Sequence, residues 1–312
     1  MMYFFLVFGF FLLIKGADFF VDGSSSAAKK LRVPPLIIGM TIVAMGTSLP
    51  ETSVSVSASI AGKNELSISN AVGSNIFNLM VVAGICSLLC VLPIEKDALK
   101  RDFPISIAAA AALLGMGSYF GRLNRFCGIV LLIAFVAFLY LMVHSAFKAR
   151  EASAGNDDDE IKTLPVWRCL LYMIGGIAAI GIGGRMVVDG ASDIASTFGM
   201  SDNLIGMTVV ALGTSLPELV TSIVAARKNE LDMALGNVIG SNIFNILFVL
   251  GIAAAISPMS FTRLNCIDTS MLIAVSALVF LFCLPKKKLV LWNGAVMLSV
   301  YSGYTVYLFM RN

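Results

Sequence analysis

Long apolar runs separated by short polar connections organise the chain from end to end. A helix needs about 20 mostly apolar residues to cross the hydrocarbon core of a bilayer. The pattern predicts ten such helices, at 3–21, 35–61, 68–92, 103–121, 126–147, 168–188, 203–225, 233–256, 268–284 and 290–309. The first run, MMYFFLVFGFFLLI, has neither a basic leader nor a small-residue cleavage pattern, so it reads as a retained helix and not a signal peptide. Several runs are rich in the small residues that let membrane helices pack closely, including Ser69-xxx-Gly73 and Gly236-xxx-Gly240.

The apolar pattern is written twice. Residues 39–51 read GMTIVAMGTSLPE and residues 206–218 read GMTVVALGTSLPE, identical at eleven of thirteen positions and offset by 167. GSNIFN at 73–78 returns at 240–245, and Val21-Asp22-Gly23 returns as Val188-Asp189-Gly190, at the same offset. The halves differ between these motifs by a compensating two-residue shift. The expected organisation is a first five-helix repeat at 1–147, a cytoplasmic acidic linker at 148–167 and a second five-helix repeat at 168–312. Five spans per half is odd, so the second half must sit upside down relative to the first. The fold class predicted is therefore an all-α membrane protein of ten transmembrane helices in two inverted-topology five-helix repeats with broken core helices. Such repeats belong to transporters that alternate access to a midplane site, a symmetry that neither a membrane enzyme nor a simple receptor needs.

Composition narrows the class further. Of 312 residues, 58% are hydrophobic and 13% charged, well outside the soluble range. The net charge of +3, with Lys and Arg placed between apolar runs, argues against a nucleic-acid partner. Alternate connections hold Lys29, Lys30, Arg32, Lys96, Lys100, Arg101, Lys148, Arg150, Lys162, Arg168, Arg227, Lys228 and Lys286 to Lys288, fifteen basic residues against six on the other side. That bias predicts an inner-membrane protein with both termini outside. The run at 156–160 reads as a solvated linker, because it lacks the alternating ligand pattern of a calcium loop. The six cysteines lie in apolar stretches with no CxxC pair, and the single His144 ends a span as an interfacial side chain. No HExxH is present, so no enzyme and no cofactor is expected.

Chemistry concentrates in the duplicated motifs. Pro50 and Pro217 cannot donate to a helix ladder and push Leu49 and Leu216 out of helical geometry. The carbonyls of the preceding turns, Ala44 to Thr47 and Ala211 to Thr214, are freed at a depth where only a cavity or a bound cation makes them tolerable. Thr47 and Ser48 fall within one turn of Glu51, and Thr214 and Ser215 within one turn of Glu218. Ser74 with Asn78, and Ser241 with Asn245, are further oxygen pairs on the following spans. An all-oxygen set favours calcium, sodium or magnesium over zinc, copper or iron. Of nineteen acidic residues, only Glu51 and Glu218 sit deep inside a span, with no deep Lys or Arg to pair with them. Two facing carboxylates match one divalent cation, and when empty they should hold a proton that competes with it. Lys15 and Asp18 read as a local snorkelling pair, and Asp22 and Asp189 as helix-end or vestibule groups.

Ten spans, inverted halves and the doubled GTSLPE and GSNIFN segments resemble the calcium/cation antiporter superfamily, in particular prokaryotic sodium/calcium exchanger-like proteins. The resemblance covers almost the whole chain. It implies a core of the second, third, seventh and eighth helices, across which the first and sixth slide. It also implies that Glu51 and Glu218 are central ligands for calcium and sodium, with Thr47 and Thr214 offering carbonyls to calcium. Ser48, Ser215, Ser74 and Ser241, with the carbonyls of Ala44 and Ala211, would serve sodium, and Asn78 and Asn245 would line the middle. Some relatives carry Asp at one of these last two positions, so this chain has one titratable group fewer. The implied activity is calcium-for-sodium antiport in a lipid bilayer, electrogenic, with no obligatory protein partner. The alternatives are a proton-driven calcium antiporter on the same two glutamates and, further off, an uncoupled cation channel.

Overall fold

The computed structural model describes residues 2–62, 64–152, 163–200, 209 and 211–311. Its helices are α1 (Met2–Leu31), α2 (Pro35–Thr47), α3 (Leu49–Ile60), α4 (Leu66–Leu89), α5 (Ala98–Phe120) and α6 (Arg125–Ala152) in the first half of the chain. The second half holds α7 (Val166–Thr197), α8 (Ala211–Thr214), α9 (Leu216–Arg227), α10 (Leu231–Ile256), α11 (Arg263–Cys283) and α12 (Leu291–Arg311). Among the described residues, seven helices are long and apolar enough to cross a bilayer, and the bent pair α2–α3 makes an eighth. Two expected spans fall short of that measure. Helix α12 has the length, 21 residues, but interrupts its apolar run with Asn293, Ser299, Ser302 and Thr305. The span around α8 and α9 begins at 203–208, which lies outside the described residues, as does the acidic run at 156–160.

Helix ends follow local chemistry. Gly121, at φ 63°, takes the left-handed position that closes α5. Thr262 and Asn265 cap α11 reciprocally, each side chain bonded to the other's backbone amide. The fold is not purely helical: two-residue strands pair antiparallel, Leu92–Pro93 with Lys288–Leu289 and Arg122–Leu123 with Met259–Ser260. Each ties off a connection between helices.

The chain packs as two compact units, and each draws on both halves of the sequence. The first comprises Met1–Pro50 and Phe138–Asn237, the second Glu51–Ala137 and Val238–Asn312. The repeats describe ancestry in sequence; the packing units cut across them.

In the first unit α1 lies along its own repeat mate, α7. A methyl group added at Gly9 would meet Gly183 O at 2.9 Å, and one at Gly16 would meet Gly176 O at 3.0 Å. Gly23 faces Cys169 O at 2.9 Å, and Gly190 faces Met2 O at 2.8 Å. Numbers rise on α1 as they fall on α7, so the helices are antiparallel. Gly9 and Gly176, Gly16 and Gly183, and Gly23 and Gly190 are repeat mates at offset 167, so the contact is self-complementary, the signature of a two-fold relation. Only glycine permits this approach. Gly236 likewise sits against Leu36 O and Gly39, whereas Gly73, expected to pack in the same manner, has open space around it.

The same unit carries a cluster of ion pairs. Lys228 Nζ binds Asp18 Oδ1 and Asp22 Oδ1, both at 2.7 Å, and donates to the Asp18 carbonyl at 2.9 Å. Burial pulls the Lys228 ammonium down, but these bonds outweigh it and hold its pKa above the ordinary lysine value. Glu230 takes a hydrogen bond from Ser25 and pairs with Lys29 at 3.4 Å. Asp18 is therefore more than the local partner of Lys15, which stands 4.0 Å away, and Asp22 is a tie between α1 and the end of α9. Asp189 pairs loosely with Arg185 at 4.0 Å, and His144 is exposed and stacks on Tyr140.

In the second unit Arg311 forks onto both oxygens of Asp268, at 2.6 and 2.7 Å, and Tyr304 donates to the same carboxylate at 3.0 Å. This pins α12 to α11. In the first unit, exposed aromatics such as Phe4, Phe8 and Phe11 on α1 face outward, while Ser, Thr and Asn are buried among the apolar core residues. That distribution suits lipid as the solvent, since apolar side chains lose nothing there and backbone and amide groups need internal partners.

Candidate functional site

The helix carrying each GTSLPE motif is interrupted, as the prolines require, but at the serine and not at the leucine. Ser48 (φ −86°, ψ 14°) separates α2 from α3, and Ser215 (φ −93°, ψ 4°) separates α8 from α9. Leu49 and Leu216 are already the first residues of the new helices. A proline's missing N–H is harmless in a first turn, so the helix restarts around it and the discontinuity moves one residue back. The chain bends by 49° at the first break.

Within the first unit the breaks of the two halves meet. Ser48 Oγ donates to Glu218 Oε1 at 2.6 Å, a contact between residues 170 apart that joins one motif to its duplicate. Glu218 is fully buried, and its Oε2 has no hydrogen-bond partner. Among the described residues no Lys or Arg pairs with it. Thr47 is also fully buried; its hydroxyl lies 3.1 Å from Asn237 Oδ1 and 3.4 Å from the Ala44 carbonyl. Asn237 Nδ2 reaches the Glu218 carbonyl at 3.4 Å and Ser222 Oγ at 2.9 Å. Thr214 and Ser215 are buried beside the second break, and Ala211 opens α8.

The second unit holds Glu51, also at 0% exposure. Its carbonyl accepts from Asn70 Nδ2 at 3.3 Å, and the same amide donates to Ser55 Oγ at 3.0 Å. These are the contacts of Asn237 repeated at offset 167. The GSNIFN helices α4 and α10 are the most enclosed of the candidate spans. They meet through their asparagines: Asn75 Nδ2 donates to the Asn242 carbonyl at 3.0 Å, and Asn242 Nδ2 returns the bond to the Asn75 carbonyl at 3.2 Å. Asn75 and Asn242 are themselves repeat mates, so here too the contact is reciprocal. Asn245 Nδ2 donates to Asn75 Oδ1 at 3.1 Å.

Several polar atoms in this unit are buried without partners: Asn245 Oδ1, Ser241 Oγ and both amide atoms of Asn78. Ser74 is buried one residue before Asn75. Asn78 and Asn245 each open a widened helical turn, Asn78–Val82 and Asn245–Val249. Such turns cluster at functional sites because they leave carbonyls and side chains aimed away from the regular ladder. Among the described residues no group of three or more His, Cys, Asp or Glu comes together, so a cation here must draw mostly on hydroxyl, amide and carbonyl oxygens.

Sequence reasoning singled out the two glutamates and their serine and threonine neighbours, which the structure buries at the breaks. It missed Asn70, Asn237, Ser55 and Ser222, and it did not separate Asn75 and Asn242 from the rest of their motif. The signal was present, since each pair obeys the offset of 167.

A model of the sodium/calcium exchanger protein family matches residues 1–144 and 169–310. The chain belongs to that family. It is therefore a multi-span membrane protein of a cation antiporter family and not a member of an enzyme class. Sodium/calcium exchanger MaX1 of Methanosarcina acetivorans is 33% identical over 340 residues, covering 97% of both proteins. Inner membrane protein YrbG of Escherichia coli is 36% identical over 293 residues, covering 89% of this chain and 87% of that protein. Among solved structures, the sodium-calcium exchanger NCX_Mj, soaked with Na+ and Sr2+, superposes with a TM-score of 0.86 at 32% identity, over 98% of this chain and 97% of that one. The fold and the duplicated motifs thus stand in a family whose name fits the oxygen chemistry of the breaks.

Proposed function

We propose that this family member exchanges calcium for sodium by alternating access, both ions binding at a midplane site built on Glu51 and Glu218. The observation that carries the reading is the Ser48–Glu218 bond, which joins the two copies of the motif at a fully buried carboxylate whose second oxygen has no partner. In this reading Thr47 and Thr214 lend backbone carbonyls to calcium. Ser48, Ser215, Ser74 and Ser241, with the carbonyls of Ala44 and Ala211, serve sodium, and Asn78 and Asn245 line the middle. Ten spans in two inverted halves, with both termini outside and the 148–167 linker cytoplasmic, complete it; the antiparallel α1–α7 pair and the reciprocal Asn75–Asn242 bonds support the inversion.

Charge explains why such a site couples the two ions. A bare carboxylate at membrane depth costs at least roughly 2.5–3.5 kcal/mol, so an empty carrier with two of them is held back from crossing. Calcium neutralises both, and sodium ions do the same in the other direction. Only loaded carriers turn over, and that is the requirement for exchange without leak.

The test is calcium flux in proteoliposomes under a sodium gradient at clamped pH, compared with a pH gradient at equal sodium. Sodium-driven calcium uptake is expected. Flux driven by the pH gradient alone would replace sodium with protons as the counter-ion, and flux needing neither would make the protein a channel.

A further inference from the structure

Thr47 has one hydroxyl proton and three acceptors around it, Asn237 Oδ1, the Ala44 carbonyl and the Glu218 carboxylate. The Asn237 Oδ1 lies at 3.1 Å and the Ala44 carbonyl at 3.4 Å. The Ala44 carbonyl already accepts the Ser48 amide at 3.1 Å, which leaves it one lone pair. Asn237 is fully buried and uses both ends of its amide: Nδ2 on Ser222 Oγ and the Glu218 carbonyl, Oδ1 on Thr47. Its orientation is fixed by the Nδ2 bonds, so Oδ1 is held facing the threonine.

We infer that Asn237 is a positioning residue which draws the Thr47 hydroxyl proton away from Ala44 and so keeps that carbonyl open for a sodium ion. The inference rests on the proposed sodium role of Ala44. Where Asn237 loses its acceptor, the Thr47 hydroxyl turns back onto the Ala44 carbonyl or the Glu218 carboxylate, and at either oxygen it competes with the cation. A carbonyl shared with a hydroxyl donor is a poorer ligand for a hard cation than one with its lone pair free. Asn237 also spans the two motifs, since Thr47 belongs to the first and Glu218 to the second. Asn70 repeats the Nδ2 half of the arrangement on Ser55 and the Glu51 carbonyl, which marks the position as a property of the repeat.

The test measures half-saturating sodium and calcium for exchange in proteoliposomes, for wild type, Asn237→Leu, Asn237→Asp and the double variant Thr47→Val with Asn237→Leu. Leucine keeps the volume but removes the acceptor, and half-saturating sodium should rise about tenfold while the calcium value moves less. Aspartate keeps an acceptor for Thr47 but gives up the Nδ2 donor to the Glu218 carbonyl, so its sodium affinity should fall between wild type and leucine. Adding Thr47→Val to Asn237→Leu removes the competing hydroxyl and should recover part of the loss. Sodium dependence unchanged in Asn237→Leu would overturn the inference, and so would a double variant worse than the single one, which marks a packing role. If leucine prevents folding, Thr47→Val alone serves: with no hydroxyl to compete for the Ala44 carbonyl it should keep wild-type sodium dependence, and a roughly tenfold rise in half-saturating sodium would overturn the inference. Wild type with no sodium-driven flux would instead refute the exchanger reading and this inference with it.

Discussion

At the scale of single residues, the two glutamates carry the argument because the bilayer charges for them. Glu51 and Glu218 are both at 0% exposure, and the conservative change to glutamine removes charge without altering volume. Glu51→Gln and Glu218→Gln are each expected to abolish calcium transport while the protein still inserts and purifies; wild-type-like flux from either would remove that residue from the site. Asn78→Ala and Asn245→Ala should weaken sodium dependence more than calcium binding if the two buried side-chain oxygens, which have no hydrogen-bond partner, line the proposed site. Equal loss of both would point to packing. The glutamates were legible in the sequence because a carboxylate in an apolar run has few innocent explanations. Asn70 and Asn237 were not, although they keep the offset of 167, because asparagine in a membrane helix is ordinary interhelical glue and lies outside the GTSLPE and GSNIFN motifs. Only the hydrogen bonds to matching glutamate carbonyls, at 3.3 and 3.4 Å, bring them out.

At the scale of elements, periodicity gave the helices and proline gave the breaks, with an error of one residue that has a plain cause. The rule that the residue before proline avoids helical geometry yields when proline sits in a first turn, and the serine takes the discontinuity instead. The placement matters, because it puts Ser48 Oγ within 2.6 Å of Glu218. What periodicity could not show was partnership between helices. The pairing of α1 with α7 rests on glycines whose spacing looks unremarkable until the two copies are laid antiparallel. Gly176→Val is accordingly expected to destabilise the protein by about 1–3 kcal/mol through overpacking, seen as a lower melting temperature in detergent. Its added carbon would stand 2.7 Å from Phe20 Cβ and 2.8 Å from the Gly16 carbonyl. Gly181→Ala, where nothing lies within 4 Å, is the matched control and should melt as wild type. Equal melting of the two variants would mean that α1 and α7 do not depend on close backbone approach.

At the scale of the molecule, the sequence halves and the packing units answer different questions. The motifs repeated at offset 167 relate the two halves of the sequence, whereas each compact unit combines pieces of both halves. The proposed exchange has a testable electrical consequence. In the proposed site, calcium bound to two carboxylates would leave it neutral, and so would two sodium ions. If more than two sodium ions replace each calcium, the sodium-loaded carrier bears net positive charge, and each cycle moves charge in the direction of sodium. The prediction is read in proteoliposomes loaded with sodium, with the potential clamped by potassium and valinomycin. Sodium leaves as calcium enters, so a positive interior should accelerate calcium uptake and a negative interior should slow it. Lowering pH should slow uptake at either potential, because protons occupy the same carboxylates in competition with calcium. Uptake indifferent to the clamped potential would mean that no more than two sodium ions accompany each calcium, with the charge of Glu51 and Glu218 balanced in both loaded states.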